Sequence, residues 1–260
     1  MKLDPTSIRL HRRGHGPALV MLHCLGMDHH LWDGLGGLAD TFELIAYDFP
    51  GHGETPVPPT GYEIEDLSEQ LAATLKLAGI ARAHVMGISL GGLVAQHFAA
   101  TNPTVVDRLV LCDTTPRYGD DARSHWPVRA AAARQGGTAS LLPAVENVWF
   151  TDGFRARSPV PPEILLVRDT FARCPGEGYA LACEALGAAD LVDLAGEIHA
   201  PTLVLCGSDE ALAFREAAEW LGANVAGAKL AYIPDAAHAS VLEQPAWVER
   251  ALRTFLQNYA

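Results

Sequence analysis

The sequence predicts an α/β fold in which a mostly parallel sheet of eight strands is flanked by helices, with a helical cap inserted after the sixth strand. Three observations lead there. Short apolar runs alternate with helical patterns along most of the 260 residues. Those runs are apolar throughout rather than in alternation, as strands buried on both faces of a parallel sheet are. One stretch, residues 116–195, breaks the rhythm.

The strand runs are residues 18–23 (ALVMLH), 43–47 (ELIAY), 83–88 (AHVMGI), 107–112 (DRLVLC), 201–206 (PTLVLC) and 229–233 (KLAYI). They are bounded by Gly, Pro or Asp. Among the helices, IEDLSEQLAATLKLAG places Leu67, Leu71, Leu75 and Leu77 near one face and stops at Gly79. Residues 90–101 and 245–258 have the same periodicity, the second with Pro245 at its first turn. Residues 116–195 show helical periodicity with Pro and Gly breaks and no buried strand. The expected division is therefore a core of residues 1–115 and 196–260 and a cap of 116–195, lying over the carboxyl edge of the sheet, where parallel α/β folds bind ligands.

Composition excludes several classes. A net charge of −12 is wrong for a nucleic-acid partner, which needs clustered Lys and Arg. No run reaches the roughly 18 apolar residues of a membrane span, and the N-terminus MKLDPTSIRLHRR has no apolar signal core, so no membrane partner and a cytoplasmic location are expected. Cys24, Cys112, Cys174, Cys183 and Cys206 are odd in number and lack CxxC spacing, and most lie in apolar runs. They read as buried thiols in a reducing compartment, with no disulfide framework and no metal site. No cofactor motif is found.

The chemistry gathers around AHVMGISLGGLVAQHFA, a strand, then Gly87-Ile88-Ser89-Leu90-Gly91, then a helix. That is the context of a nucleophile elbow, and it names Ser89 as the attacking residue of an α/β-hydrolase. Gly87 and Gly91 let strand and helix approach each other. A serine hydroxyl needs an adjacent base, and in the Ser, acid, His order of this fold His238, in the loop PDAAHAS, fills that place. The Leu90 N–H at the helix start and the Leu25 N–H in the loop His23-Cys24-Leu25-Gly26 are the expected oxyanion donors. The acid lies in Gly207-Ser208-Asp209-Glu210, where Gly-x-x-Asp spacing selects Glu210 and residue type selects Asp209. Asp113, at the end of the preceding strand, is a third candidate. Among the other histidines, His23 is expected to brace its loop and His52 to belong to a turn. His29 and His30 are adjacent and expected to point apart, which disfavours a metal between them.

Several runs resemble the 3-oxoadipate enol-lactonases, a family within the α/β-hydrolase superfamily: YDFPGHGETPVPPTGYEIEDL, MGISLGGLVAQ, LVLCDTTPRYG, VWFTDGFRARSP, PGEGYALACEALGAADL and AAHASVLEQP. The cap runs are narrower than the elbow, which the whole superfamily shares. The chain departs from the family at Pro50, at His23-Cys24, at HASVLE and at GSDEALAF. The resemblance implies hydrolysis of a small enol lactone bearing a carboxylate arm, through an acyl-serine intermediate. It also implies a cation for that carboxylate. Arg129 beside Trp126 in the cap is the first candidate, with Arg155 and Arg157 as alternatives and Trp126 as a pocket wall. Other readings are an esterase or lactonase for another small ester, a carbon–carbon bond hydrolase, or a ligand-binding protein on a hydrolase scaffold.

Overall fold

In a computed structural model that describes residues 2–257, the apolar runs become the strands of a single sheet. They are β2 (Ala18–Leu22), β3 (Glu43–Tyr47), β4 (Ala83–Ile88), β5 (Val106–Cys112), β6 (Thr202–Gly207) and β7 (Lys229–Ile233). Every residue of β4 and β6 is buried. Among the described residues the sheet has seven strands, not eight, in the order β1-β3-β2-β4-β5-β6-β7. The first, β1 (His11–Gly14), pairs antiparallel with β3, and all other pairs are parallel. Its residues, HRRG, are mostly exposed, so it carries no apolar signal; polar edge strands of this kind resist pairing with other chains. Among the described residues upstream of it lies one 3-10 turn, Pro5–Ser7, and no strand.

Helices α1 (Ile64–Leu77), α2 (Leu90–Thr101), α8 (Leu212–Asn224) and α10 (Pro245–Gln257) flank the sheet. On α1, Leu67, Leu71 and Leu75 are buried, but Leu77 is 66% exposed. It lies two residues past Leu75, about 200° around a helix of 3.6 residues per turn, and so faces away from the other three. The helix α10 buries Val248, Leu252 and Leu256. Residue 258, the end of the sequence-read helix, lies outside the described residues.

Between β5 and β6 run α3 (Asp120–Gly136), α4 (Leu142–Trp149), α5 (Asp152–Arg155), α6 (Pro162–Arg173) and α7 (Gly176–Ala188). With seven strands this segment follows the fifth, not the sixth. Helices α3 and α7 pack on each other, and Arg134 of α3 bonds Glu177 and Glu184 of α7. Toward the core, the Ala239 N–H donates to the Trp149 carbonyl at 2.8 Å, and Glu243 of the short helix α9 (Ser240–Glu243) accepts from the Thr151 N–H and hydroxyl. The end of the loop that carries His238 is thus tied to the end of α4.

Candidate active site

The parallel register places the carboxyl ends of β4, β5 and β6 side by side, with Ile88 opposite Cys112 and Cys112 opposite Leu205. The next residues carry the chemistry. The Ser89 N–H donates to the Cys112 carbonyl at 3.0 Å, and the Asp113 N–H to the Leu205 carbonyl at 2.9 Å. Ser89 has φ +53° and ψ −114°, a strained conformation for a residue with a side chain. The turn is possible because of its neighbours: a Cβ on Gly87 would stand 2.1 Å from the Gly91 carbonyl oxygen, and one on Gly91 would stand 2.1 Å from that of Leu22. The second contact also fixes the loop after β2, which holds Leu25, against the elbow. Leu90 opens α2, and first-turn N–H groups have no partner within their helix.

His23 fastens that loop. Its Nε2 accepts from the Phe49 N–H at 2.9 Å, so Nδ1 carries the proton and donates to the Cys24 carbonyl at 2.8 Å. His52 is buried in its turn, its Nδ1 3.3 Å from the Pro50 carbonyl oxygen, and burial together with nearby His23 pulls it down to about 3.

The geometry distinguishes the three acids. His238 Nδ1 lies 2.5 Å from Oε2 of Glu210, and both side chains are buried. The other oxygen of Glu210 accepts from the Ala211 N–H at 2.7 Å. Asp209 is exposed, 3.3 Å from the Ser208 hydroxyl. The loop decides this: N–H groups of Ser208 and Asp209 bond the carbonyls of Ile233 and Ala236, while the Glu210 N–H turns back onto Gly207, leaving Glu210 facing inward. Spacing prevails over residue type.

Asp113 does not bond His238. It accepts from the Ser240 hydroxyl and, at 2.8 Å, from the Gly207 N–H, and it is buried. Burial, with the Glu210 charge nearby, pushes its carboxyl up to about 7. For His238, burial alone would lower the imidazole's affinity for a proton. The Glu210 carboxylate, its hydrogen bond and Asp113 behind it more than offset this and hold the ring above its ordinary value.

Aromatic residues absent from the sequence reading wall the site. Phe214 of α8 lies 4.8 Å and Trp149 6.1 Å from His238, ring centre to ring centre. Tyr118 packs edge-on against Phe214 and Trp126, and its hydroxyl interacts with the Ser89 side chain. Burial pushes that phenol well above its usual range, so it stays neutral. The run PRYG could have pointed to Tyr118, since it follows the end of β5; Trp149 and Phe214 carry no signal apart from their fold position.

On α3, the Arg129 guanidinium lies 5.6 Å over the Trp126 ring and 5.5 Å over the Tyr179 ring. No carboxylate forms an ion pair with it among the described residues. Trp126 Nε1 is buried and unpaired, and the buried Tyr179 hydroxyl interacts with the Arg129 side chain. Arg129 and Trp149 line a cavity of about 330 Å³. Arg155 is different: it is held by Asn147 at 2.5 Å and by Asp152, because the short helix α5 brings these acceptors beside it. It is therefore not a free cation. Arg157 stacks over Phe154.

His29 and His30 do not point apart. Their ring centres are 4.0 Å apart, because each Nδ1 is drawn to its own buried carboxylate, Asp48 for His29 and Asp28 for His30.

With this geometry the relatives can be compared. The α/β-hydrolase fold family matches residues 17–245. The chain belongs to that family. It is 29% identical over 244 residues to 3-oxoadipate enol-lactonase 2 of Acinetobacter baylyi, covering 94% of this chain and 90% of the relative. A pimeloyl-[acyl-carrier protein] methyl ester esterase of Chromobacterium violaceum is 33% identical over 251 residues, covering 95% and 97%. Among solved structures, the enol-lactonase from Burkholderia xenovorans superposes with a TM-score of 0.91 at 32% identity, over 96% of each chain. The resemblance to enol-lactonases read from the cap runs is thus found across the length of this α/β-hydrolase. All five cysteines are free and buried, and no described helix is long and apolar enough to cross a membrane.

Proposed function

We propose that this α/β-hydrolase opens a small enol lactone bearing a carboxylate, using Ser89 as nucleophile. The observation that carries the substrate class is Arg129, a half-buried cation with no carboxylate partner among the described residues, lying against the Tyr179 ring and hydroxyl and beside the unpaired Nε1 donor of Trp126. Its charge is near enough to oppose protonation of His238. A planar guanidinium suits a carboxylate, and buried donors left without acceptors are unfavourable unless a ligand supplies them.

In this reading His238 takes the Ser89 proton as the hydroxyl oxygen attacks the lactone carbonyl. The Leu90 and Leu25 N–H groups hold the oxyanion of the tetrahedral intermediate. Its collapse breaks the ring carbon–oxygen bond and expels an enolate; its oxygen takes the proton from His238 to give the enol, which becomes the ketone by gaining a proton at carbon and losing the one on oxygen to water. A water, deprotonated by His238, then attacks the acyl-serine ester; the second tetrahedral intermediate releases the Ser89 oxygen, which regains its proton from His238, and the free acid leaves. Glu210 holds the Nδ1 proton and stabilises the imidazolium. Asp209 and Asp113 have no part as the triad acid. Five buried thiols accord with a reducing cytoplasm as the place of this reaction.

The relatives leave an esterase as the competing reading, and Arg129→Met separates the two. Methionine keeps an unbranched stem against the rings while removing the charge. The expected result is a fall of roughly 10- to 150-fold in kcat/KM for a carboxylate-bearing enol lactone, the value of a hydrogen bond to a charged group, with a neutral nitrophenyl ester unaffected. If the wild type turns over only the neutral ester, or the variant loses both activities equally, the enol-lactone reading is wrong.

A further inference from the structure

Asp113 is a buried carboxylate that takes no step in the reaction proposed above. It is 1% exposed, and no lysine or arginine among the described residues forms an ion pair with it. Its backbone has φ +41°, in the left-handed region, where a side chain has a steric cost even though aspartate tolerates it better than most. A buried charge with no cation, on a strained backbone, destabilises a fold unless its contacts compensate.

Those contacts go to two loops. Oδ1 accepts from the Gly207 N–H at 2.8 Å, while Oδ2 accepts from the Ser240 hydroxyl and, at 3.2 Å, from the Cys112 thiol. Gly207 ends β6 and opens the turn that delivers Glu210. Ser240 opens α9, two residues after His238, and is fully buried. One carboxylate thus holds, by separate oxygens, the segment that carries the acid and the segment that carries the base.

The two segments also press on each other. A Cβ on Gly207 would stand 2.3 Å from the Ala236 carbonyl oxygen and 2.6 Å from that of Ala237, which directly precedes His238. Asp113 itself is anchored by its N–H on the Leu205 carbonyl, and the carbonyl of Cys112 beside it accepts from the Ser89 N–H. The end of β5 is therefore a common support for nucleophile, base and acid. The alignment it supports is demanding, because a hydrogen bond such as the one between His238 Nδ1 and Glu210 Oε2, at 2.5 Å, weakens steeply when either partner is displaced.

Electrostatics act in the same direction. The titratable groups around Asp113 are Glu210, His238 and the thiols of Cys24, Cys112 and Cys206. Burial and the Asp113 charge push all three thiols up, so they stay neutral. Of these groups only His238 takes on positive charge, and Asp113 adds to Glu210 in favouring its imidazolium.

We propose that Asp113 is a positioning residue, a single carboxylate that sets the contact between Glu210 and His238 by clamping the Gly207 turn and the start of α9 to the end of β5. The clamp rests on Ser89, His238 and Glu210 acting as the triad. It works through its two neighbours and not on the reacting atoms.

The test compares Ser240→Ala, Asp113→Ala and Asp113→Asn on a nitrophenyl ester, with rates normalised to the acyl-serine burst so that only folded, acylating enzyme is counted. Ser240→Ala removes one oxygen and leaves the Gly207 bond in place, so the fold is kept. Its kcat should fall about 10-fold, the worth of a hydrogen bond to a charged group, with KM unchanged and the far-downfield proton resonance of His238 Nδ1 weakened. Asp113→Ala frees both loops and should lower kcat on the order of 10²-fold. Asp113→Asn keeps an acceptor for Gly207 without the charge. It should recover most of that loss on the pH plateau, while the acid limb of kcat/KM moves to lower pH. Wild-type rates in Ser240→Ala and Asp113→Ala, with the limb unmoved in Asp113→Asn and Ser89→Ala inactive, would overturn the clamp and leave the triad standing. Activity retained in Ser89→Ala would overturn the triad, and the clamp with it.

Discussion

Ser89→Ala lowers kcat/KM for every ester and lactone substrate by a factor on the order of 10⁴–10⁶, with the fold intact. The size follows from the interdependence of nucleophile and base: without the hydroxyl, His238 has no proton to take, and what remains is the rate supplied by binding and the oxyanion donors. The fold should survive because only one oxygen is removed. The contacts that shape the elbow belong to Gly87, Gly91 and the backbone, including the Ser89 carbonyl, which accepts from the Thr114 hydroxyl at 2.8 Å. Activity assays paired with thermal melts check this. The thermal midpoint should move by no more than about 2–4 °C, which corresponds to about 1 kcal/mol for a chain of this size. Retained activity in the folded variant would remove Ser89 from the mechanism.

The second large effect is expected at Glu210. Replacement by Gln keeps the shape but exchanges a charged acceptor for an amide. An amide can turn its NH₂ toward Nδ1, which leaves the proton on Nε2, where the base must be empty. The expected loss in kcat is on the order of 10³–10⁴-fold, while Asp209→Asn, at an exposed side chain, costs little. The pH profile provides a second readout. Only neutral His238 accepts a proton, so wild-type kcat/KM falls as pH drops through its ionisation. Because Glu210 and Asp113 outweigh burial, that limb lies above the ordinary value of 6.5. In Glu210→Gln the attraction for imidazolium is gone, and the limb moves to lower pH. A limb that stays in place would mean that Glu210 does not face the base.

The elbow was legible in the sequence because its signal is steric and local: two glycines at fixed spacing around a serine, between a strand and a helix. Most of the sheet was legible because burial on both faces makes its strands apolar throughout. The polar edge strand β1 was not, since strand formation there depends on β3 and leaves no pattern in HRRG. The acid remained open because residue type and spacing disagreed, and only the fold of the Gly207–Glu210 turn decides which carboxylate faces inward. Arg155 and Arg129 look alike in sequence. Their difference lies in neighbours that only the packing of α4 and α5, or of α3 and α7, brings into place.

The account rests most heavily on a covalent bond between Ser89 and the acyl group. Intact-mass measurement of protein quenched during turnover of a slow nitrophenyl ester tests it directly. An added acyl mass that maps to the peptide carrying Ser89, and is absent from Ser89→Ala, is the predicted result. Turnover with no adduct under any quench, or an adduct on another residue, would contradict it.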